Sequence, residues 1–307
     1  MPKDFISLGD WSPEDLYRIL ARARELKSSQ RGGERPQTLS GRTLAMFFEK
    51  PSLRTRVTFE AGMTQLGGHA IQLRPESVGL GTRESVADVA NNLSRWVDAL
   101  VVRTFSHALV EELARVASIP VVNGLTDLLH PCQLMADFQT VSEHVELKDA
   151  VLAWVGDGNN VANSLLLGAA VLGLELRLAT PASHRPALRI RRQAEQLAAA
   201  SGARLSWTED PVEAVRDAGF VYTDTWTSMG QEEEAERRRE IFASYQVNTA
   251  LLSNAPDARI MHCLPAHRGE EITDEVLDGP ASLVLDQAEN RLHSQKAILE
   301  RLLLSPD

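Results

Sequence analysis

Charged and polar side chains directly follow short apolar runs at five places in this sequence. The first is the segment 48–56, Phe-Glu-Lys-Pro-Ser-Leu-Arg-Thr-Arg, where Ser52 is a candidate helix N-cap and Arg54 falls in the first turn. A helix N-terminus carries partial positive charge, so arginines there are locally unfavourable. A bound phosphate would resolve this conflict, because backbone N–H groups, hydroxyls and a guanidinium would all bind it. The alternative is a surface helix whose arginines reach solvent.

Arg103 and His130 are the next candidates in chain order. Arg103 lies in the apolar run 100–104, and a charge at a buried strand end is costly unless it has a partner. That partner would be either an anionic ligand or a structural carboxylate. His130 opens His-Pro-Cys-Gln, in which Pro131 suits the first position of a helix. Its imidazole would either donate a hydrogen bond to a carbonyl oxygen or serve a structural role.

Three more candidate segments lie in the second half of the chain. The loop 156–161, Gly-Asp-Gly-Asn-Asn-Val, superficially suggests a dinucleotide-binding turn, but Val161 occupies the third glycine position and no acid follows the next strand. A dehydrogenase is therefore disfavoured. Asp224 and Cys263 each follow an apolar run, so a carboxylate and a thiol would meet at neighbouring strand ends. The alternative for Cys263 is an inert buried thiol.

The elements that must position these residues alternate between strand and helix. That pattern predicts an α/β fold in which each of two domains has a parallel β-sheet flanked by helices, with ligands beyond the carboxyl ends of the strands. The strand candidates are residues 43–48, 69–73, 100–104, 120–122, 151–155, 175–179, 204–207, 220–223, 259–262 and 282–285.

A long helical pattern that starts at Pro131 marks the change from the first domain to the second. We expect a first domain over residues 1–134 and a second over residues 135–286. The amphipathic C-terminal segment 287–307 is expected to form a helix that packs back on the first domain.

Composition excludes several classes of protein. The net charge of −10 over 307 residues argues against binding to nucleic acid or to an anionic membrane. Two cysteines, Cys132 and Cys263, do not form a disulfide framework, and no signal peptide or apolar run long enough for a membrane span is visible. We therefore expect a cytoplasmic protein. No Cys/His cluster has metal-ligand spacing, so neither a metal nor another cofactor is expected.

Taken together and in this order, the motifs resemble those of the aspartate/ornithine carbamoyltransferase family. Ser-x-Arg-Thr-Arg at 52–56 and His-Pro-x-Gln at 130–133 are similar to its two carbamoyl phosphate signatures. Asp-Thr-Trp-Thr-Ser-Met-Gly at 224–230, His-Cys-Leu-Pro at 262–265 and Arg291 are similar to its ornithine branch. The resemblance spans nearly the whole chain. It implies an active site in the cleft between two domains, and a homotrimer or a multiple of trimers.

The resemblance also implies a reaction and its residues. Carbamoyl phosphate would give its carbamoyl group to the δ-amine of L-ornithine, forming L-citrulline and phosphate. Arg103, His130, Asp224 and Cys263 would be catalytic, with Asp224 and Cys263 handling protons, through the Cys263 sulfur or only its backbone. The expected carbamoyl phosphate ligands are Ser52, Leu53, Arg54, Thr55, Arg103, His130, Gln133, Cys263, Leu264 and Arg291. The expected ornithine ligands are Asn160, Asp224, Ser228 and Met229.

One segment departs from the family pattern. In the family, a loop of the neighbouring subunit often offers Gln, His or Lys to the site, but Gly79 stands at the matching position here. The partner's contribution therefore has no named residue, and the missing lysine disfavours the aspartate branch. Alternatives are transfer to putrescine or N-acetylornithine, an inactive binding protein on the same scaffold, and a nucleotide-dependent oxidoreductase. A biosynthetic and a catabolic role both stay open.

Overall fold

Two parallel sheets organise the chain in this computed structural model, which describes residues 2–81, 83–227 and 232–304. Within the described residues the first sheet has four strands in the order β2-β1-β3-β4, and the second has five in the order β7-β6-β5-β8-β9. The fold class predicted from the alternating pattern is thus confirmed. The strands are β1 Thr43–Phe48, β2 His69–Leu73, β3 Ala99–Arg103, β4 Val121–Leu125, β5 Val151–Val155, β6 Glu175–Ala179, β7 Arg204–Thr208, β8 Phe220–Thr223 and β9 Arg259–His262.

Helices follow most strands. They are α1 Pro13–Arg31, α2 Arg54–Gln65, α3 Pro75–Val78, α4 Val86–Trp96, α5 His107–Val116, α6 Pro131–Ser142, α7 Asn160–Leu172, α8 Leu188–Ser201, α9 Pro211–Val215, α10 Ala235–Phe242, α11 Thr249–Leu252, α12 Asp274–Leu277 and α13 Val284–Leu303. In the part of the chain that the structure describes, none of them is long and apolar enough to cross a membrane.

The chain divides into two compact units, Met1–Gln139 with Glu289–Asp307 and Thr140–Ala288. In the first, the central strands β1 and β3 are apolar and almost fully buried, as strands covered on both faces must be. In the second, the same holds for β5 and β8, where Trp154 packs edge-on against Tyr222 with ring centroids 5.0 Å apart. The predicted domain limits of residues 1–134 and 135–286 stay predictions.

Strand register brings the ends of neighbouring strands together within each sheet. Phe48 at the end of β1 lies opposite Arg103 at the end of β3. Thr223 at the end of β8 lies opposite His262 at the end of β9. Because the strands are parallel, the segments that follow them leave at one edge of each sheet. The candidate residues after the strands are grouped for this reason.

The tenth predicted strand, at residues 282–285, is wrong. Only Ser282 forms a single bridge to Ile260, and the chain enters α13 at Val284. The short run Ser-Leu-Val-Leu has β propensity, but Asp286 in the first helical turn and the apolar periodicity that follows favour a helix. Periodicity over a long segment outweighs the propensity of four residues.

The C-terminal part of α13 is held to the first unit by polar side chains. The buried ammonium of Lys27 on α1 donates to Asn290 Oδ1 at 2.8 Å. Thr58 on α2 donates from its hydroxyl to Gln295 Oε1 at 2.6 Å. These bonds flank Arg291 and so fix the position from which its guanidinium reaches the unit's interior.

His293, two residues beyond Arg291, is almost fully buried, and within the described residues neither of its ring nitrogens makes a hydrogen bond. Burial and then the charge of Lys296 lower the pKa of His293 from 6.5 to about 4, although Glu289 opposes the shift. At a pH between about 4 and 6.5, the unfolded chain therefore binds more protons than the folded protein. Stability is retained above the unfolded pKa and is lost progressively as pH falls from there towards about 4.

We expect His293→Leu, which keeps the buried volume, to remove part of this acid sensitivity. The melting temperature of the parent should fall more than that of the variant between about pH 7.5 and about pH 5. His69→Leu, at an exposed position of the same unit, is the matched control and should follow the parent. Equal losses in the parent and in His293→Leu would contradict the assignment.

Candidate active site

The segment after β1 forms a helix start with an internal cap. Ser52 Oγ accepts a hydrogen bond from Thr55 N at 3.2 Å, as expected of a capping hydroxyl, although regular helix begins only at Arg54. Thr55 is buried, Ser52 and Arg54 are half-buried, and the Leu53 side chain is exposed. Any contact that Leu53 makes with an anion would therefore come from its backbone. The local geometry matches an anion-binding helix N-terminus.

Arg291 joins this helix start to the start of α6. Its guanidinium donates to Thr55 Oγ1 at 2.9 Å and also to Gln133 Oε1. Gln133 in turn donates to Asp137 Oδ1 at 2.8 Å. Since Arg291 and Gln133 are almost fully buried, the pairing fixes the orientation of both side chains. Two residues that the sequence suggested separately thus lie in one network.

His130 is buried and lies within the electrostatic influence of three arginines of the first unit. Burial, followed by the charges of Arg291, Arg103 and Arg54, lowers the pKa of His130 well below its usual value. The imidazole is therefore neutral at neutral pH, and it can act as a hydrogen-bond donor but not as a cation. Arg103 is also buried, at the end of β3. The unit thus holds three guanidinium groups around one neutral ring, an arrangement suited to a small anion.

Asp224 is the centre of the candidate site in the second unit. Cys263 Sγ donates to Asp224 Oδ1 at 3.1 Å, and Asn159 Nδ2 donates to Asp224 Oδ2 at 2.8 Å. Asp224 is buried, so its carboxylate is largely shielded from solvent. The carboxylate and the thiol thus meet at neighbouring strand ends, as expected from their positions directly after two strands. This pair can hold a cationic amine or exchange a proton with it.

Asn159 is a residue that sequence reasoning missed. Its side-chain oxygen caps α7 by accepting from Val161 N and Ala162 N, while its amide nitrogen binds Asp224. Asn160, which was predicted as a ligand, is half-buried at the first position of α7. The signal was available, because Asn directly before an apolar helix is a strong N-cap. The other predicted ligands, Ser228 and Met229, lie outside the described residues.

A buried ion pair supports the same region. Arg238 on α10 donates to Asp157 Oδ2 and to the carbonyl oxygen of Trp226. Burial raises the pKa of Asp157 to about 7, Arg238 opposes this rise, and the charge of Asp224 adds to it. Arg238 therefore connects the loop after β5 to the segment after β8. The charge-rich stretch 232–240 gave no indication that one of its arginines would be buried.

The backbone after β9 is held by His262. Leu264 N donates to His262 Nδ1 at 2.9 Å, and His262 Nε2 lies 3.0 Å from Glu271 Oε1, so Nε2 carries the proton. Leu264 has a φ of 57°, a left-handed conformation that is uncommon for a residue with a side chain. The buried His262–Glu271 pair thus maintains an unfavourable backbone next to Cys263.

Asp224, His262 and Cys263 place potential ligand atoms within 4.8 Å of one another. These atoms are already engaged, since the thiol donates to Asp224 and both ring nitrogens of His262 have partners. The second group of potential ligands consists of His267, Glu270 and Glu271. In it, Glu271 accepts from His262 and from His267 N. A metal ion at either group would have to displace these bonds.

The glycine-rich turn after β5 is closed to a dinucleotide by the chain itself. Gly158 N donates to His184 O at 2.8 Å, and a Cβ on Gly158 would lie 2.3 Å from Pro186 N. In a dinucleotide-binding turn, the corresponding close approach is made by the pyrophosphate. Here the backbone of residues 184–186 occupies that place, which removes the main structural argument for an oxidoreductase.

Comparison with known proteins gives full-length matches. A family model described as "Aspartate/ornithine carbamoyltransferase, carbamoyl-P binding domain" matches residues 3–143, and one described as "Asp/Orn binding domain" of the same family matches residues 148–302. The ornithine carbamoyltransferase of Anoxybacillus flavithermus is 52% identical over 303 residues, covering 98% of this chain and 96% of the relative. The anabolic enzyme of Pyrococcus furiosus is 50% identical over 299 residues, covering 97% and 95%.

A solved structure of ornithine carbamoyltransferase from Pyrococcus furiosus matches with a TM-score of 0.96 and 48% identity, over 100% of this chain and 98% of that one. The family resemblance drawn from the motifs is therefore confirmed. The chain belongs to the aspartate/ornithine carbamoyltransferase family.

Proposed function

We propose that this protein is an ornithine carbamoyltransferase, which transfers the carbamoyl group of carbamoyl phosphate to the δ-amine of L-ornithine and releases L-citrulline and phosphate. The observation that carries the proposal is the convergence of Arg54, Arg103 and Arg291 on a neutral, buried His130. An acyl phosphate needs cations for its phosphate and hydrogen-bond donors for its carbonyl oxygen, and these four residues supply both. The names of the relatives, at about half identity over nearly the whole chain, support the choice of ornithine.

Carbamoyl phosphate would bind in the first unit. Arg54, the backbone N–H groups and the hydroxyls of the segment 52–55 would hold the phosphate, while Arg103 and His130 would donate to the carbonyl oxygen. Attack by the amine moves charge onto that oxygen, so these donors bind the transition state more tightly than the ground state. Gln133, together with the carbonyl groups of Cys263 and Leu264, would accept from the carbamoyl amide.

Ornithine would contribute its δ-amine as the neutral nucleophile. The amine has a lysine-like pKa of ~10.4 in solution and arrives protonated, so one proton must leave before attack. Asp224 and Cys263 are our candidates to receive or orient that proton. The nitrogen then forms a bond to the carbonyl carbon, the carbon–oxygen bond to phosphate breaks, and the leaving phosphate takes the second amine proton. Asn160, Ser228 and the Met229 backbone would hold the α-amino and carboxylate groups.

The proposed setting of the enzyme has three parts. A homotrimer, or a multiple of trimers, is implied by the family resemblance. The exposed apolar side chains of Leu53, directly before α2, and of Val57 on α2 are suited to subunit contact. A cytoplasmic location agrees with two free cysteines, Cys132 and Cys263. A biosynthetic direction agrees with the name "anabolic" of the Pyrococcus furiosus relative.

Product analysis with competing amines tests the function directly. The protein is incubated with carbamoyl phosphate and one of three amines, which are ornithine, putrescine and N-acetylornithine. The products of each reaction are identified by mass. We expect citrulline from ornithine and a much lower kcat/KM with the other two amines. If kcat/KM is higher with putrescine or N-acetylornithine than with ornithine, that amine is the substrate and the proposal is wrong. No product with any amine would favour an inactive binding protein.

A crossed pair of variants tests which unit holds which substrate. Arg54→Ala should raise the KM for carbamoyl phosphate and lower kcat, because a charge-assisted contact contributes roughly 1.5–3 kcal/mol. Asp224→Asn should instead raise chiefly the KM for ornithine. Steady-state kinetics with each substrate varied in turn, on variants whose melting curves match the parent, gives the comparison. If both variants impair both substrates equally, the assignment is wrong.

Cys263→Ser separates a role of the sulfur from a role of the backbone. Serine keeps the size and the carbonyl group but raises the side-chain pKa far above the ~8.5 of a free thiol. If the thiol next to Asp224 exchanges a proton with the amine, kcat should fall and the pH–rate profile should shift. The profile is measured from about pH 6 to about pH 10 in parent and variant. Two profiles that coincide would limit Cys263 to its backbone.

A further inference from the structure

Lys50 precedes the phosphate-binding segment by two residues, yet its ammonium group is committed elsewhere. The residue is 3% exposed and pairs with the carboxylate of Asp127, whose side chain is 61% exposed. The same ammonium lies 4.2 Å from the centroid of the Phe105 ring, within cation–π distance. A lysine beside an anion site would be expected to reach the anion, so this double engagement calls for another explanation.

The partners of Lys50 belong to loops that follow three adjacent strands. Lys50 follows β1, Phe105 follows β3 and Asp127 follows β4. Asp127 N also donates to the carbonyl oxygen of Phe105 at 3.0 Å. One side chain therefore ties together three segments that parallel pairing brings to the same edge of the sheet.

Each tied segment leads directly to a residue of the proposed carbamoyl phosphate site. Next to Lys50, Glu49 N donates to Arg103 O at 2.8 Å, and the Glu49 carboxylate accepts from the Thr104 hydroxyl. These bonds fix the backbone from which the Arg103 side chain projects. A displacement of Lys50 would therefore be transmitted to Arg103.

The other side of the contact leads to His130. Next to Asp127, Thr126 N donates to Leu129 O at 2.8 Å, and Leu129 N donates to Thr126 Oγ1 at 3.1 Å. This pair of bonds closes a tight loop whose next residue is His130. The position of Asp127 thus sets the position from which the imidazole enters the site.

We propose that Lys50 is a positioning residue for carbamoyl phosphate: through Asp127 and Phe105 it holds the Arg103 and His130 donors in register with the phosphate-binding segment. The inference rests on the proposed function. Misplacing catalytic donors by as little as 1 Å lowers rates by up to about a hundredfold, so a clamp at this point has a large effect without touching the substrate. Lys50 acts on the residues that bind the substrate and does not contact the phosphate itself.

The test is a double-mutant cycle with a conservative replacement. Lys50→Met removes the positive charge of the pair, Asp127→Asn removes the negative charge, and the double variant removes both charges. Lys50→Met should raise the KM for carbamoyl phosphate about tenfold or more and leave the KM for ornithine near the parent value. Asp127→Asn should produce part of this increase, and the double variant should be no worse than Lys50→Met. Lys50→Arg should recover most of the loss, since a guanidinium also stacks on an aromatic ring.

Arg42→Met is the matched control. Arg42 pairs with Asp98 at 2.6 Å, and these residues precede β1 and β3, at the opposite end of the same sheet. This variant loses a cation–carboxylate pair of the same unit and should leave both KM values unchanged. Calorimetric binding of inorganic phosphate to all variants adds a readout that needs no turnover and should follow the KM for carbamoyl phosphate.

Several results would overturn the proposal. If Lys50→Met loses affinity while Asp127→Asn does not, Lys50 is a direct phosphate ligand. If only the melting temperature falls, Lys50 is structural. Additive effects in the cycle would show that the pair does not act together. A parent that forms no citrulline contradicts the proposed function, whereas an active parent with an unaffected Lys50→Met contradicts only the inference about Lys50.

Discussion

Mutual repulsion among three neighbouring guanidinium groups, two of them buried, is the constraint around which the first unit is built. Burial, and then the charges of Arg291, Arg103 and Arg54, lower the pKa of His130 well below its usual value, so the ring stays neutral. Like charges held close together in a low dielectric are costly, so the protein must restrain each of them through other contacts. Arg291 is restrained by Thr55 and by Gln133. A small anion would relieve the remaining repulsion, as the proposed binding of carbamoyl phosphate requires.

The second unit uses the opposite arrangement. Its centre is a carboxylate, Asp224, which accepts from a thiol and from an amide. A second carboxylate, Asp157, lies close enough to feel its charge and is balanced by Arg238. This environment favours a cationic amine on arrival and disfavours extra negative charge. The two units therefore differ in the sign of charge they attract, as their proposed substrates do.

Much of this was predictable from sequence, for a definite physical reason. In parallel sheets the strand ends share an edge, so Asp224 and Cys263 could be paired before the register of Thr223 with His262 was known. Residues that act through long-range partners were not predictable. Lys50 and Arg238 stand in charged segments, and nothing local distinguishes a buried, paired cation from a solvated one.

Local signals also competed at two positions. The run 282–285 has strand propensity, but it leads into the twenty-residue helix α13. Asn159 and Asn160 are identical in type, and only the capping geometry at the start of α7 decides which one faces Asp224. In both cases a second local signal, the periodicity of α13 or the N-cap of α7, decides between the alternatives.

The place of Arg291 in the chain has a consequence for protein synthesis. It bonds to residues 158 and 236 positions earlier, so the helix start at residues 52–55 leaves the ribosome long before its guanidinium partner is made. Throughout most of translation, the nascent first unit lacks the helix that carries Arg291, Asn290 and Gln295. Contacts between such distant residues close late and slow the folding of the whole chain. A truncated or stalled product would therefore lack the guanidinium that holds Thr55 and Gln133 in place.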